Sequence, residues 1–287
     1  MCVKISMRIP RNLASMPVGE LAAWAAESGL DAVDVADEQL NLIAELTARG
    51  IGVGSVDAVA IPDTLALDEG RRAAGVAALK AQIDRVAELG LNVLFGGLRP
   101  ADPTSPRRET FAIFAETYPE IMKHAEMRGV SLAVEPFPGP APHYANLGWS
   151  PEMYRRMFAA VPSSSLGICF DPSHFVRMGI DYLRLLDEFG ERVRYVHAKD
   201  TELLLEGRYL YGTLGPTFDT GVGWSGGDWR YCIPGTGEVD WAKVMARLAI
   251  VGYDGYVSVE LEDHVYRHSV QGCKEGIAKS VEHLRSL

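Results

Sequence analysis

The chain has 287 residues, with 28 Lys and Arg against 38 Asp and Glu, a formal net charge of −10. Its 47% apolar and 23% charged residues exclude global disorder, because that much apolar surface can form a core. The acidic surplus argues against nucleic acid or an anionic membrane as partner, and no apolar run approaches the roughly eighteen residues of a membrane span.

In chain order, short β-rich runs alternate with longer amphipathic segments. A first strand is predicted over 3–9, a helix over 17–28, a strand over 30–35, a helix over 38–49 and a strand over 51–56. A long Ala-rich helix over 68–89 precedes a strand over 91–95, and a helix over 106–128 precedes one over 130–134. Ser150-Pro151-Glu152 opens the next helix, with Ser150 as its N-cap and Pro151 in its first position. A strand over 166–170, a helix over 181–189, a strand over 193–196, a helix over 240–251, a strand over 256–259 and a helix over 270–284 complete the chain. Glycines at 29, 50, 90 and 129 each end a helix and feed a buried strand. Eight β-α units in fewer than 300 residues predict one (β/α)8 TIM-barrel domain spanning 1–287. A doubly wound open sheet fits less well, because the first β-α junction has no G-x-G-x-x-G loop. One long loop, at about 199–238 after the seventh strand, is rich in Gly, Tyr and Trp. A loop of that length is usually a lid or an insertion. Cys2, Cys169, Cys232 and Cys273 are far apart with no C-x-x-C, which argues against a disulfide framework or zinc ribbon. With no secretory pattern at residues 1–6, a cytoplasmic location is expected.

In such a barrel the chemistry lies at the C-terminal ends of the strands. The last four strands finish on Glu135, Asp171, His197 and Glu260. Any one of these alone could be a capping or ion-paired residue. Three carboxylates converging on one mouth repel one another unless a cation joins them, and an imidazole can complete its ligand set. Oxygen ligands with one imidazole suit manganese, magnesium, cobalt or zinc. His174, three residues after Asp171, is either a substrate contact or a solvated loop residue. Lys199 and Asp200 extend the seventh strand end, where Asp200 either orients His197 or a substrate hydroxyl or joins a surface ion pair. Tyr209, Tyr211, Trp224, Trp229 and Tyr231 in the long loop either stack on a sugar ring or pack on one another. His264 and His268 read as surface residues, and Gly235-Thr236-Gly237 as a turn into the helix at Asp240.

The segments Ala133-Val134-Glu135-Pro136, Phe170-Asp171-Pro172-Ser173-His174, Val196-His197-Ala198-Lys199-Asp200-Thr201 and Gly252 to Glu260 resemble those of the xylose isomerase-like barrel superfamily of sugar isomerases and epimerases. The resemblance is strongest over 131–284. It implies Glu135, Asp171, His197 and Glu260 as metal ligands and His174 as a substrate contact. Ketohexose 3-epimerases of that superfamily carry a further Glu and Arg where this chain has Ala141 and Leu203, so the pattern is more similar to members acting on keto-sugars and keto-glycosides. Inosose dehydratases, keto-C-glycoside-cleaving subunits and abasic-site endonucleases share the scaffold. The endonucleases hold three metals and need early-strand histidines that are missing at Asp57 and Gly96-Gly97.

These readings converge on proton transfer next to a sugar carbonyl, assisted by one divalent ion, with manganese expected ahead of magnesium, cobalt or zinc. Glu135 and Glu260 are the expected catalytic pair, one removing the proton and the other returning it to the opposite face. Asp171 and His197 would mainly fix the ion, and His174, Lys199 and Asp200 would contact substrate. β-Elimination from the same enediolate is the alternative, with a DNA-cleaving or non-catalytic sugar-binding barrel behind it. The expected partner is a small sugar, with no nucleic acid or membrane; self-association is implied by the resemblance alone.

Overall fold

The computed structural model describes residues 4–218 and 223–287. Eight parallel strands close a barrel: β1 (Lys4–Arg8), β2 (Ala32–Val35), β3 (Gly52–Asp57), β4 (Val93–Gly96), β5 (Ser131–Val134), β6 (Leu166–Phe170), β7 (Val193–Ala198) and, after two strands of an inserted hairpin, β10 (Tyr256–Val259). Each strand pairs with its chain neighbour, and β1 pairs with β10 to close the ring. The outer helices include α1 (Val18–Glu27), α2 (Ile43–Ala48), α3 (Ile61–Thr64), α4 (Glu69–Glu88), α5 (Arg107–Arg128) and α6 (Pro151–Ala160). The second half adds α7 (Pro172–Met178), α8 (Tyr182–Phe189), α9 (Leu205–Tyr211), α10 (Trp241–Ile250) and α11 (Val270–Arg285). The TIM barrel expected from the sequence is the observed fold. Cys2 and the start of the predicted first strand lie outside the described residues.

Three local differences have physical causes. The helix predicted over 38–49 opens as a 3-10 turn at Asp37–Leu42 before α2. There the Gln39 side chain accepts from the Ala36 N–H at 2.9 Å, and Asp37 is drawn to Gln82 and Arg85 on α4, which tightens the first turn. The strand predicted over 193–196 runs on through His197 and Ala198, so His197 lies inside β7 rather than after it. The long loop is partly ordered: β8 (Asp200–Leu203) and β9 (Trp229–Cys232) form an antiparallel ladder, with α9 between them.

The barrel interior is not wholly apolar. Ser6 Oγ lies 2.9 Å from the Tyr195 hydroxyl, Ser258 Oγ donates to Asp34 at 2.6 Å, and the Tyr195 hydroxyl donates to Asp34 as well. These buried partners satisfy a carboxyl that burial otherwise disfavours as an anion; Asp34 is pushed above its ordinary range by burial, with the two hydrogen bonds opposing that rise. The layer forms a rigid polar floor, and His197 stands edge-on to Tyr195 with 5.8 Å between ring centroids.

Candidate active site

Strand register brings the predicted residues together. Ser258 pairs with His197, and the Glu260 N–H continues that ladder to Ala198 C=O at 3.2 Å, which sets Glu260 beside the end of β7. The Glu135 N–H continues the β4–β5 ladder to Gly96 C=O at 3.1 Å. Ligand atoms of Glu135, His197 and Glu260 consequently lie within 4.8 Å of one another. Asp171 is outside that trio. It is the N-cap of α7, where Oδ1 accepts from the Ser173 N–H at 3.0 Å and its hydroxyl at 2.6 Å. Pro172 in the first turn suits this start. α7 was not expected from the sequence, and it aims His174 back into the barrel mouth.

Lys199 is the centre of the cluster. Its buried ammonium lies 2.6 Å from Glu260, 2.8 Å from Glu262 and 3.2 Å from Asp171. Burial alone would lower its pKa, but the three carboxylates outweigh that and hold it well above its ordinary value. A lysine so held is a donor and a charge, not a nucleophilic amine. Glu260 is also gripped from the other side, with Arg8 Nε 3.2 Å from Oε1. Burial opposes its ionisation, yet Lys199, His197 and Arg8 keep it well below the usual carboxylate range. Arg8 is steadied in turn by a bidentate pair with Asp57 at 2.8 and 3.1 Å.

Glu135 differs. Its closest ionisable nitrogen is His174 Nε2 at 3.5 Å. Burial, with the neighbouring Glu260 charge, lifts its pKa to about 7. His174 is buried, which pushes it well below its ordinary value with the help of Lys199 and Arg177, so its ring is neutral. The Tyr231 hydroxyl of β9 lies 2.6 Å from Nδ1 and fixes the ring.

Asp200, expected at the substrate, has other partners. Side chains alternate along the chain here, so Asp200 faces away from Lys199. Its oxygens accept the N–H groups of Thr201 (2.8 Å), Val239 (3.0 Å) and Gly235 (3.1 Å), and a Cβ at Gly237 would collide with Oδ1. Asp200 therefore pins the returning end of the long loop to β8. Burial lifts its pKa to about 6 against those N–H groups.

Arg8, Glu262 and Tyr231 join the site without having been assigned to it from sequence. Glu262 could have been found by strand alternation, being two residues beyond Glu260. Of the long-loop aromatics, Trp229 and Tyr231 pack together at 4.8 Å beside the site, whereas Tyr209 is 83% exposed.

A cavity of about 420 Å³ opens beside Glu135, lined by Arg8, Asp57, Phe95, Arg99, Phe137 and Asn146 among others. A cavity of about 450 Å³ at the opposite end of the barrel, between α10 and the C-terminus, is lined by Met245, Leu248, Tyr253 and Leu287, with Lys4 and Asp254 at its edge. It lacks the carboxylate and imidazole cluster of the mouth.

The sequence profile described as xylose isomerase-like TIM barrel matches residues 20–287, and the chain belongs to that family. Among curated proteins it is 31% identical over 170 residues to the uncharacterised YfiH of Bacillus subtilis, covering 58% of this chain and 50% of that one. It is 26% identical over 109 residues to an inosose dehydratase of Geobacillus thermodenitrificans (37% and 34% covered). It is 23% identical over 194 residues to a fructoselysine 3-epimerase of Shigella flexneri (68% and 61% covered). The chain thus spans about half or less of the length of the first curated relatives it matches. The solved structure of IolI with a bound zinc atom shares the fold, with a TM-score of 0.70 at 19% identity over 99% of this chain and 98% of that one.

Proposed function

We propose that the protein is a divalent-metal-dependent sugar epimerase or isomerase that moves a proton on the carbon beside a carbonyl of a keto-sugar or keto-glycoside. The observation that carries this reading is the convergence of Glu135, His197 and Glu260 within 4.8 Å. The donor chemistry fits an ion: both His197 ring nitrogens and Asp171 Oδ2 are buried without a hydrogen-bond partner. Glu135, Asp171, His197 and Glu260 would hold it. Mostly oxygen ligands with one imidazole favour manganese, with magnesium, cobalt and zinc as alternatives. When bound, such an ion polarises a carbonyl and acidifies the neighbouring C–H.

The chain's own groups divide the remaining work. Glu135 borders the cavity and carries a pKa of about 7, which suits a group that takes up and gives back a proton near neutral pH. Glu260 stands across the cluster as the second carboxylate, able to exchange a proton on the opposite face. Lys199 and the neutral His174 present a donor and a polar ring to substrate oxygens. The epimerase and dehydratase names among the relatives support an enzyme acting on sugars.

The test is a set of keto-sugars and 3-keto-glycosides incubated in deuterated buffer with manganese, read by loss of proton signal at each carbon. Exchange at one carbon, abolished by Glu135→Gln, supports the reading; full exchange in Glu135→Gln or Glu260→Gln overturns the two-carboxylate assignment. Release of an aglycone would assign elimination instead.

A further inference from the structure

Arg177, on α7 one turn beyond His174, is half-buried in a box of three rings. Its guanidinium carbon lies 4.6 Å from the Trp229 centroid, 5.3 Å from Phe137 and 5.7 Å from Tyr231. These contacts hold the planar group by its faces. Its N–H edges meet no carboxylate or carbonyl among the described residues, and none of its nitrogens is sealed from solvent. That is unusual company for an arginine in an acidic chain. Arg8, Arg155, Arg230 and Arg247 each find a carboxylate.

The box is continuous with the site. Tyr231 bonds His174 and carries the Lys199 ammonium 4.5 Å from its ring centroid, so Arg177 and Lys199 contact the same phenol. Phe137 lines the cavity beside Glu135 and stands 5.8 Å from the His174 ring. Arg99, on the rim of that cavity, likewise has no carboxylate partner among the described residues. The site therefore offers two arginines with open donors around a sugar-sized space, in a chain whose net charge would otherwise repel anions.

We infer that Arg177 receives an anionic substituent, a carboxylate or a phosphate, on the end of the sugar remote from the reacting carbonyl, with Arg99 assisting from the rim. The inference rests on the proposed sugar chemistry at the neighbouring cluster, and it narrows the substrate class to sugar acids or phosphorylated sugars. The planar fork of Arg177, held by its faces and open at its edge, matches such a group bidentately.

The experiment measures binding by the wild-type chain of D-glucose, D-glucuronate and D-glucose 6-phosphate, by calorimetry at low and high salt. At least one anionic sugar is expected to bind about tenfold or more tightly than D-glucose, with the advantage shrinking in salt. Which anion binds separates a carboxylate from a phosphate preference. Arg177→Gln should remove the advantage, and Arg177→Lys, which keeps the charge but loses the fork, should restore only part of it. Equal binding of all three sugars, no binding of either anion, or an advantage that survives in folded Arg177→Gln overturns the inference. A parallel manganese titration keeps the two proposals separate. Anion preference through Arg177 without metal binding defeats the metal mechanism alone, whereas metal binding without anion preference defeats this inference alone.

Discussion

Lys199 Nζ lies 2.6 Å from Glu260 Oε2, whereas Glu135, across the same cluster, has no lysine or arginine nitrogen within ion-pair distance among the described residues. The two carboxylates that the sequence presents as equivalent are thus held in different states. One is kept ionised by fixed cations, and the other is poised to exchange a proton.

The first consequence concerns Lys199. Replacing it with Met leaves Asp171, Glu260 and Glu262 close together without the ammonium they share. Unfolding in urea should show a loss of about 3–5 kcal/mol, the usual cost of breaking a buried ion pair from one side. Added manganese should recover more stability in Lys199→Met than in the wild type, because it replaces the missing positive charge. An unchanged urea midpoint would refute the role given to Lys199.

Glu135 makes the stability of the ion-free protein depend on pH. Its folded pKa of about 7 stands above the ordinary 4.5, so the folded state binds the proton more tightly than the unfolded chain. Its contribution is therefore complete below about 4.5 and is lost as pH rises through about 7. An ion needs the ionised carboxylate, so its affinity should rise over the same interval. Thermal shift should show a larger gain from manganese at about pH 8 than at about pH 5.5, and Glu135→Gln should flatten that difference.

At Asp200 the prediction is structural. Both oxygens accept backbone N–H groups, so in Asp200→Asn one N–H would face an amide NH₂. The variant should lose about 1–3 kcal/mol in urea unfolding. The wild-type contribution should fall as pH rises from about 3.8 to about 6, since burial raises the folded pKa, and this slope should be missing in the variant. Retention of full stability would return Asp200 to the role of a substrate contact.

Tyr231→Phe removes the hydroxyl 2.6 Å from His174 Nδ1 and little else. Turnover should fall about fivefold to tenfold, corresponding to about 1 kcal/mol for one hydrogen bond that orients a ring. The circular dichroism spectrum should stay the same, so a loss of folded signal would show Tyr231 to be needed for packing instead.

Much of the barrel was legible because its local signals agree. Glycines 29, 90 and 129 stop helices at positive φ, and short apolar runs follow them. The strand ends at Glu135, Asp171, His197 and Glu260 were legible for the same reason, each being a polar residue at the close of an apolar run. Arg8 escaped because reading the first strand through Ile9 buries Arg8 within it, while the pairing of β1 ends at Arg8 itself. The β8–β9 ladder escaped because Leu203 and Trp229 are joined by no short turn. Asp200 was assigned by proximity to His197, a linear measure that ignores the side on which each residue points.

The pairing of Leu203 with Trp229 brings the two ends of segment 204–228 to within one strand spacing. A segment anchored in this way tolerates changes of length cheaply, at about 0.6 kcal/mol of closure entropy for each doubling. Its anchors lead straight to Lys199 on one side and Tyr231 on the other, so the excursion between them can be traded wholesale while the proton-handling floor stays fixed. In evolutionary terms the barrel supplies a constant reaction, and this excursion is an exchangeable cassette through which related chains can acquire new substrates.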